Sequence, residues 1–200
     1  MSILSNIVLL LLKRTIMSIL DNYRHIAVIG QGHFASVKKY ACKITGQQVA
    51  IKMLKNEHLD NKDYKHRFAR EVELLGQLNE HPHIIDILDS ELSDSLYAYI
   101  MPLATTHLHE YLKPRGDLSL HQRLLFFDQV LDAVKYLHKN SIVHRDISPR
   151  NVLLFNSGSG SMSVVLSDFG LGKELSEDIA YTRSSIAYYG VPPKRWTANR

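Results

Sequence analysis

His144-Arg145-Asp146-Ile147-Ser148-Pro149-Arg150-Asn151 puts a carboxylate and an amide five residues apart in a polar run. Before it, Leu120, Leu124, Phe127, Leu131, Val134 and Leu137 recur at helical spacing, and Ser119 with Gln122 makes the capping box that starts such a helix. The octet is therefore a loop closing a long helix. After it, Val152 to Phe155 and Val164 to Leu166 read as short strands around a Ser/Gly turn at Asn156 to Ser163. Asp168-Phe169-Gly170 comes next, seventeen residues past Asn151, and brings a second acid to the end of that hairpin. One acid in a loop is usually a cap, but the ordered set of acid, amide and acid has no such plain explanation.

Further towards the N-terminus the pattern turns β-rich. Ile26, Val28, Gly30 to Gly32, Val37, Tyr40 and Val49 to Ile51, with a Thr45-Gly46 turn, predict a three-stranded antiparallel meander over Tyr23 to Lys55. Tyr64, Phe68, Leu75 and Leu78 predict one helix over Asn61 to Leu78. Two more strands are expected around Ile84 to Leu88 and Leu96 to Met101, separated by an acidic turn at Asp89 to Asp94. Past Pro102 come a short helix at His107 to Leu112 and turn residues Pro114 and Gly116. Five strands and a helix followed by mainly helical chain give an α+β fold in two lobes.

The chemistry is spread along this frame. Gly30-Gln31-Gly32-His33-Phe34-Ala35 alone suits a dinucleotide fold as well as a hairpin over phosphates. The former needs a helix next and an acid about twenty residues on. Here Val37 to Tyr40 is extended and the first following acid is Glu57, so the hairpin reading holds. Gly30 and Gly32 then let backbone amides approach phosphates without a Cβ in the way. Lys52 ends the apolar run Val49-Ala50-Ile51, where a lysine ordinarily snorkels to water. Glu71, however, shares a helix face with Phe68, Leu75 and Leu78, and a carboxylate on a core-facing stripe needs a partner. Lys52 is the expected one, held by Glu71 against the α and β phosphates; Glu73 points elsewhere. Asp146 would orient an incoming hydroxyl and accept its proton, with Asn151 and Asp168 as oxygen ligands for magnesium.

The order glycine loop, Ala50-Ile51-Lys52, Glu71, His144-Arg145-Asp146, Asn151, Asp168-Phe169-Gly170 resembles the eukaryotic-type protein kinase superfamily over about Tyr23 to Gly172. The resemblance implies a two-lobed kinase-like fold: a small β-rich N-lobe with one helix over about 23–101, a hinge at 101–104, and an incomplete helical C-lobe over 105–200. It implies transfer of the γ-phosphate of ATP to a protein hydroxyl, serine/threonine rather than tyrosine. ATP and Mg2+ would be the cofactors. Met101 to Leu103 would bond adenine through the hinge backbone, Val37, Ala50 and Leu153 would wall the base, Ile29 would join the nucleotide site, and Ile100 would be the gatekeeper. Leu75, Ile87, His144 and Phe169 would stack as an internal spine. Thr182, Ser184 and Ser185 would lie in an activation loop open to an upstream kinase, with Arg145 receiving the phosphate.

Several positions depart from that pattern. Ala35 replaces the third glycine. His107 stands where many relatives place a ribose-binding acid, and Ser148 where serine/threonine kinases usually carry a lysine, which would slow transfer. Pro149 fits the serine/threonine pattern and Arg150 the tyrosine one. The Ala-Pro-Glu element expected after the activation loop is absent: Gly190-Val191-Pro192-Pro193 approaches it and Lys194 to Arg200 does not continue it. The chain thus reads as C-terminally truncated, which leaves part of the Leu120 to Leu137 helix facing water. The alternative is a pseudokinase-like module that binds nucleotide or a partner without phosphotransfer.

Composition narrows the classes. With 200 residues and 45% apolar content, the chain can bury a sizeable core. The net charge of +4 comes from scattered Lys and Arg rather than a basic run with aromatics, which argues against nucleic acid. The lone Cys42 cannot form an internal disulfide, which suits an intracellular compartment, cytoplasmic before nuclear. Ile7 to Leu12 is too short to span a bilayer and lacks the flanks of a secretory signal. Met1-Ser2-Ile3-Leu4 recurs at Met17 to Leu20, so residues 1–20 are expected to be a disordered extension.

Overall fold

The computed structural model describes residues 18–78, 81–114, 118–156, 158 and 161–170, with backbone alone at 173–174. These fall into two compact units, one from residues up to His66 with Ile87–Leu103, the other from Arg67–Asp86 and from Ala104 onward. Of the expected disordered extension over 1–20, residues 1–17 lie outside the described residues, as do Gly116, Thr182, Ser184, Ser185 and the segment Gly190 to Arg200, whereas Ser18 to Leu20 are ordered as the cap and start of a 3-10 turn.

The first unit is built on an antiparallel sheet of β1 (Tyr23–Gln31), β2 (Ala35–Cys42), β3 (Gln48–Leu54), β4 (Asp89–Leu92) and β5 (Tyr97–Pro102), in the order β1-β2-β3-β5-β4. The meander follows the sequence pattern closely. At the Thr45-Gly46 turn, Gly46 has φ 72°, a left-handed conformation that a Cβ disfavours. Along β3 the two-residue period sorts side chains between faces. Val49 and Ile51 join Tyr40, Ala98 and Ile100 in an apolar cluster, which Ile19, Leu20 and Tyr23 cover from the N-terminal side. Ala50, Lys52 and Leu54 occupy the opposite face and are all buried. The 3-10 turn Ile19–Asn22 is tied down by Glu91, which accepts hydrogen bonds from Ser18 Oγ, Ile19 N and Ser93 Oγ.

One expected strand moves. Ile84 makes only an isolated parallel bridge to Leu166, and Ile85 to Leu88 carry no strand; the strand is Asp89–Leu92, where an acidic turn was expected. The reason is that β4 is an edge strand. Backbone pairing with β5 fixes it, so Asp89 and Ser90 stay solvated without interrupting the ladder.

Helix α1 (Lys62–Gln77) starts where Asn61 Oδ1 accepts from Asp63 N and Tyr64 N. Its buried stripe is Phe68, Glu71, Leu74 and Leu75, continued by Leu78 just past the helix.

In the second unit, α2 (Leu108–Leu112) is capped by His107, whose Nδ1 accepts from Glu110 N, and the Ser119–Gln122 capping box starts α3 (Leu120–Lys139). Strands β6 (Thr106–His107), β8 (Val152–Asn156) and β9 (Met162–Leu166) form one small sheet. β7 (Ile142–Val143) pairs with β10 (Lys173–Glu174). Helix α3 packs on β9 and β7, and Gln129 Oε1 accepts from Val164 N at 2.7 Å.

The apolar stripe expected on α3 is divided: Leu131 and Val134 are half-buried and Leu137 is buried, while its N-terminal half faces water, as expected for part of this helix. Leu120, Leu124 and Phe127 are 68%, 58% and 66% exposed, and the buried residues are Phe126, Ala133 and Leu137. The helix carries two apolar stripes, both at helical period, about a third of a turn apart. Periodicity finds a stripe; only the sheet beside it decides which one is covered.

Candidate active site

The loop after α3 is held by bonds from its own residues. His144 is buried, with Nε2 donating to Ser167 O at 3.0 Å and Nδ1 accepting from Asp146 N at 3.2 Å. That pattern requires the neutral ring. Burial, opposed by the Ser167 bond and by the Asp168 and Asp146 charges, holds its pKa below the ordinary histidine value. Its ring centroid lies 4.6 Å from that of Phe169, so these two residues of the expected spine are in contact.

Asn151 organises the acid. Its Nδ2 donates to Asp146 O at 2.9 Å and to Asp146 Oδ2 at 3.0 Å. Its backbone O accepts from Ser167 N at 2.9 Å and Ser167 Oγ at 3.0 Å. The sequence therefore brings Asp146, Asn151 and the Ser167-Asp168 step together through direct bonds. Arg145 and Asp168 sit at φ 67° and 64°, sparsely populated for non-glycine residues and at a cost of about 1–3 kcal/mol each. Such strain survives only where neighbours over-determine it, and here Asn151 and Ser167 do so.

Because the Asn151 NH2 is bonded to Asp146, its Oδ1 is the atom that could meet a hard cation, for which the sequence offers Asp168 as a companion carboxylate. Among the described residues there is no group of three or more His, Cys, Asp or Glu able to hold a metal ion. An acid-plus-amide pair suits a cation that keeps waters and phosphate oxygens in its shell, as magnesium does.

In the first unit, Gly30, Val37, Lys52 and Tyr99 are successive cross-strand partners on β1, β2, β3 and β5. A Cβ on Gly30 would lie 3.4 Å from Val37 Cβ, and Lys52 Nζ is 5.9 Å from the Tyr99 ring centre. Lys52 is 6% exposed, which rules out the snorkelling alternative. Glu71, in the second unit, is equally sequestered at 1%. Ala50 pairs with Met101 in the same register. Ile100, by contrast, pairs with Ile51 and points into the cluster covered by Ile19 and Leu20, on the face away from Ala50 and Lys52. The gatekeeper expectation for Ile100 is therefore corrected: strand alternation gives Met101 the place beside Ala50. Ile29 is exposed, while Leu103 and Leu153 are half-buried.

Ser167 and Gln129 were not anticipated. Ser167 is legible only as the residue preceding Asp168, and Gln129 only as a polar residue on the helix face of Phe126 and Ala133.

Comparison with known proteins places this frame in a family. The protein kinase domain family matches residues 23–197, and the chain belongs to that family. It is 34% identical over 158 residues to the carbon catabolite-derepressing protein kinase of Saccharomyces cerevisiae, covering 79% of this chain and 24% of that protein. It is 34% identical over 155 residues to sucrose non-fermenting protein kinase 1 of Fusarium virguliforme, covering 78% and 22% respectively. Against the serine/threonine-protein kinase PrkC of Bacillus subtilis, identity is 33% over 166 residues, covering 82% and 25%. The chain thus spans about a quarter of the length of these relatives. No helix among the described residues is long and apolar enough to cross a membrane.

Proposed function

We propose that the chain binds ATP with magnesium and transfers the γ-phosphate to a serine or threonine hydroxyl of a protein. The observation that carries this is Asn151 bonded at once to both oxygens of the Asp146 residue that face it and, through its backbone, to Ser167 beside Asp168. The names of the relatives support serine/threonine specificity.

In this reading Asp146 accepts the proton of the acceptor hydroxyl as its oxygen bonds to the γ-phosphorus and the bond to the ADP oxygen breaks. Asn151 and Asp168 would hold magnesium, which supplies positive charge against the phosphate oxygens. Lys52, with Glu71 as its counter-charge, takes the α and β phosphates, and Gly30 and Gly32 leave the hairpin amides free to approach them. Ile29, Val37, Ala50, Met101, Leu103 and Leu153 serve the base. The kinase domain is taken as 23–200, with an N-lobe to about 101, a hinge at 101–104 and C-lobe chain from 105. An upstream kinase acting on Thr182, Ser184 or Ser185 and an intracellular, cytoplasmic setting belong to the same reading, the latter supported by Cys42 as a free thiol.

The test is transfer of γ-labelled phosphate from ATP to serine, threonine and tyrosine peptide libraries. Label on serine or threonine, lost in Asp146→Asn, is expected. Nucleotide binding without any transfer would instead favour the contact-only module.

A further inference from the structure

The glycine hairpin does not end freely at its tip. His33 and Phe34, the two residues after Gly32, sit among rings from the chain that follows β3. Phe34 stacks on Tyr64 with centroids 5.6 Å apart and planes 10° from parallel. His33 stacks on His58 at 5.8 Å and 17°, and its Nδ1 is 3.4 Å from the Tyr64 hydroxyl. His58 closes the set, 4.6 Å from the Tyr64 ring.

The supports of these rings are themselves fixed. Tyr64 lies in the first turn of α1, where its backbone N–H is bonded to the Asn61 cap. His58 ends the 3-10 turn Asn56–His58, and its Nε2 is 3.6 Å from Glu57. Phe34 O accepts from Lys55 N at 2.9 Å, and Ala35 O accepts from Gly32 N at 2.9 Å. Glycines make a hairpin permissive, and its backbone would otherwise sample many states. Four rings packed at its tip remove that freedom where the phosphates are to be met.

We propose that His33, Phe34, His58 and Tyr64 form a ring clamp on the glycine hairpin, with Tyr64 as a positioning residue for the phosphates of the bound nucleotide. The proposal rests on the reading of Gly30 to Ala35 as the phosphate-covering hairpin. Pre-ordering lowers the entropy lost when the nucleotide binds, so the clamp acts on affinity rather than on the proton transfer at Asp146. One ring pair is worth a factor of roughly 2 to 12 in an equilibrium. Tyr64 takes part in three such contacts.

The experiment uses the full chain and two readouts: amide hydrogen exchange of the 30–36 segment without nucleotide, and the Kd of a fluorescent ATP analogue with magnesium. Tyr64→Ala should speed exchange at Gln31 to Ala35 and weaken nucleotide binding, each by about fivefold or more on the ring-pair scale. Tyr64→Phe, which keeps the ring, should stay close to the unsubstituted chain in both. His33→Ala, at an exposed position outside the helix, removes the other side of the clamp and should loosen the same amides even if Tyr64→Ala fails to fold. Unchanged exchange in His33→Ala would overturn the clamp. Normal nucleotide affinity in Tyr64→Ala would overturn the positioning role alone. Absence of binding by the unsubstituted chain would defeat the nucleotide reading, and with it the positioning role, while the exchange data still judge the clamp.

Discussion

Replacing Asn151 by Ala removes two donated hydrogen bonds within a six-residue loop, to Asp146 O at 2.9 Å and to Asp146 Oδ2 at 3.0 Å. A bond to a neutral acceptor contributes about 0.5–1.5 kcal/mol and one to a carboxylate about 1.5–3 kcal/mol. Both residues are half-buried, so water replaces part of what is lost, and the lower end of the sum, about 2 kcal/mol, is expected for Asn151→Ala. Asp146→Ala deletes only the carboxylate acceptor and leaves the bond to the backbone oxygen. The two substitutions should therefore couple by about 1–2 kcal/mol, the share of the charged bond. Urea unfolding of the unsubstituted chain, both single variants and the double variant gives the cycle. Additivity within about 0.4 kcal/mol would refute the view that Asn151 orders the acid in the absence of ligand.

Phe126→Ala should cost about 3–5 kcal/mol in the same urea assay, whereas Phe127→Ala should stay within about 0.5 kcal/mol. A reversed order would mean that α3 presents its other stripe to the sheet. Acidification should destabilise the chain, because His81 and His144 are both held below the ordinary histidine pKa, first by burial. The unfolded chain takes up protons near pH 6.5 that the folded chain resists, so their contribution is present above about 6.5 and lost as pH falls below it. Tm should drop between pH 7.5 and 5.5, and His81→Asn should flatten the slope; a Tm that is level or rises on acidification would contradict this. Glu91→Gln should loosen the Ile19–Asn22 turn, because the carboxylate accepting from Ser18, Ile19 and Ser93 becomes a neutral amide; its expected loss is about 1 kcal/mol by urea unfolding.

Most of the β-meander and the catalytic loop were legible because each rests on local chemistry. Gly46 needs a left-handed turn, Ser119 and Gln122 cap a helix, and Asp146 and Asn151 lie within one loop. What the sequence hid depends on neighbours far along the chain. Asp89–Leu92 reads as an acidic turn until β5 is beside it to supply the ladder. Leu120, Leu124 and Phe127 share the helical period of Phe126 and Ala133 one position away, and only β9 beside the helix decides which are covered. Ile100 and Met101 differ by one position, and strand alternation turns that step into opposite faces of the sheet. The ring cluster at the hairpin tip joins residues about thirty positions apart: His33 and Phe34 fill variable positions of the glycine motif, and His58 and Tyr64 lie in no motif. Ser167 and Gln129 were missed for the same reason: their partners, Asn151 and Val164, are set by folding rather than by spacing.

The most direct test of the account is the thermal stability of the full chain with magnesium and ATP, compared with Asp168→Asn and Asp146→Asn. At about a hundredfold excess over Kd, the unsubstituted chain should gain roughly 2.7 kcal/mol only when magnesium and ATP are both present. Asp168→Asn should lose that gain, because it removes the carboxylate companion of Asn151. Asp146→Asn should keep it while failing to transfer phosphate. No magnesium-dependent shift in the unsubstituted chain, or equal loss in both variants, would contradict the division of roles between the two acids.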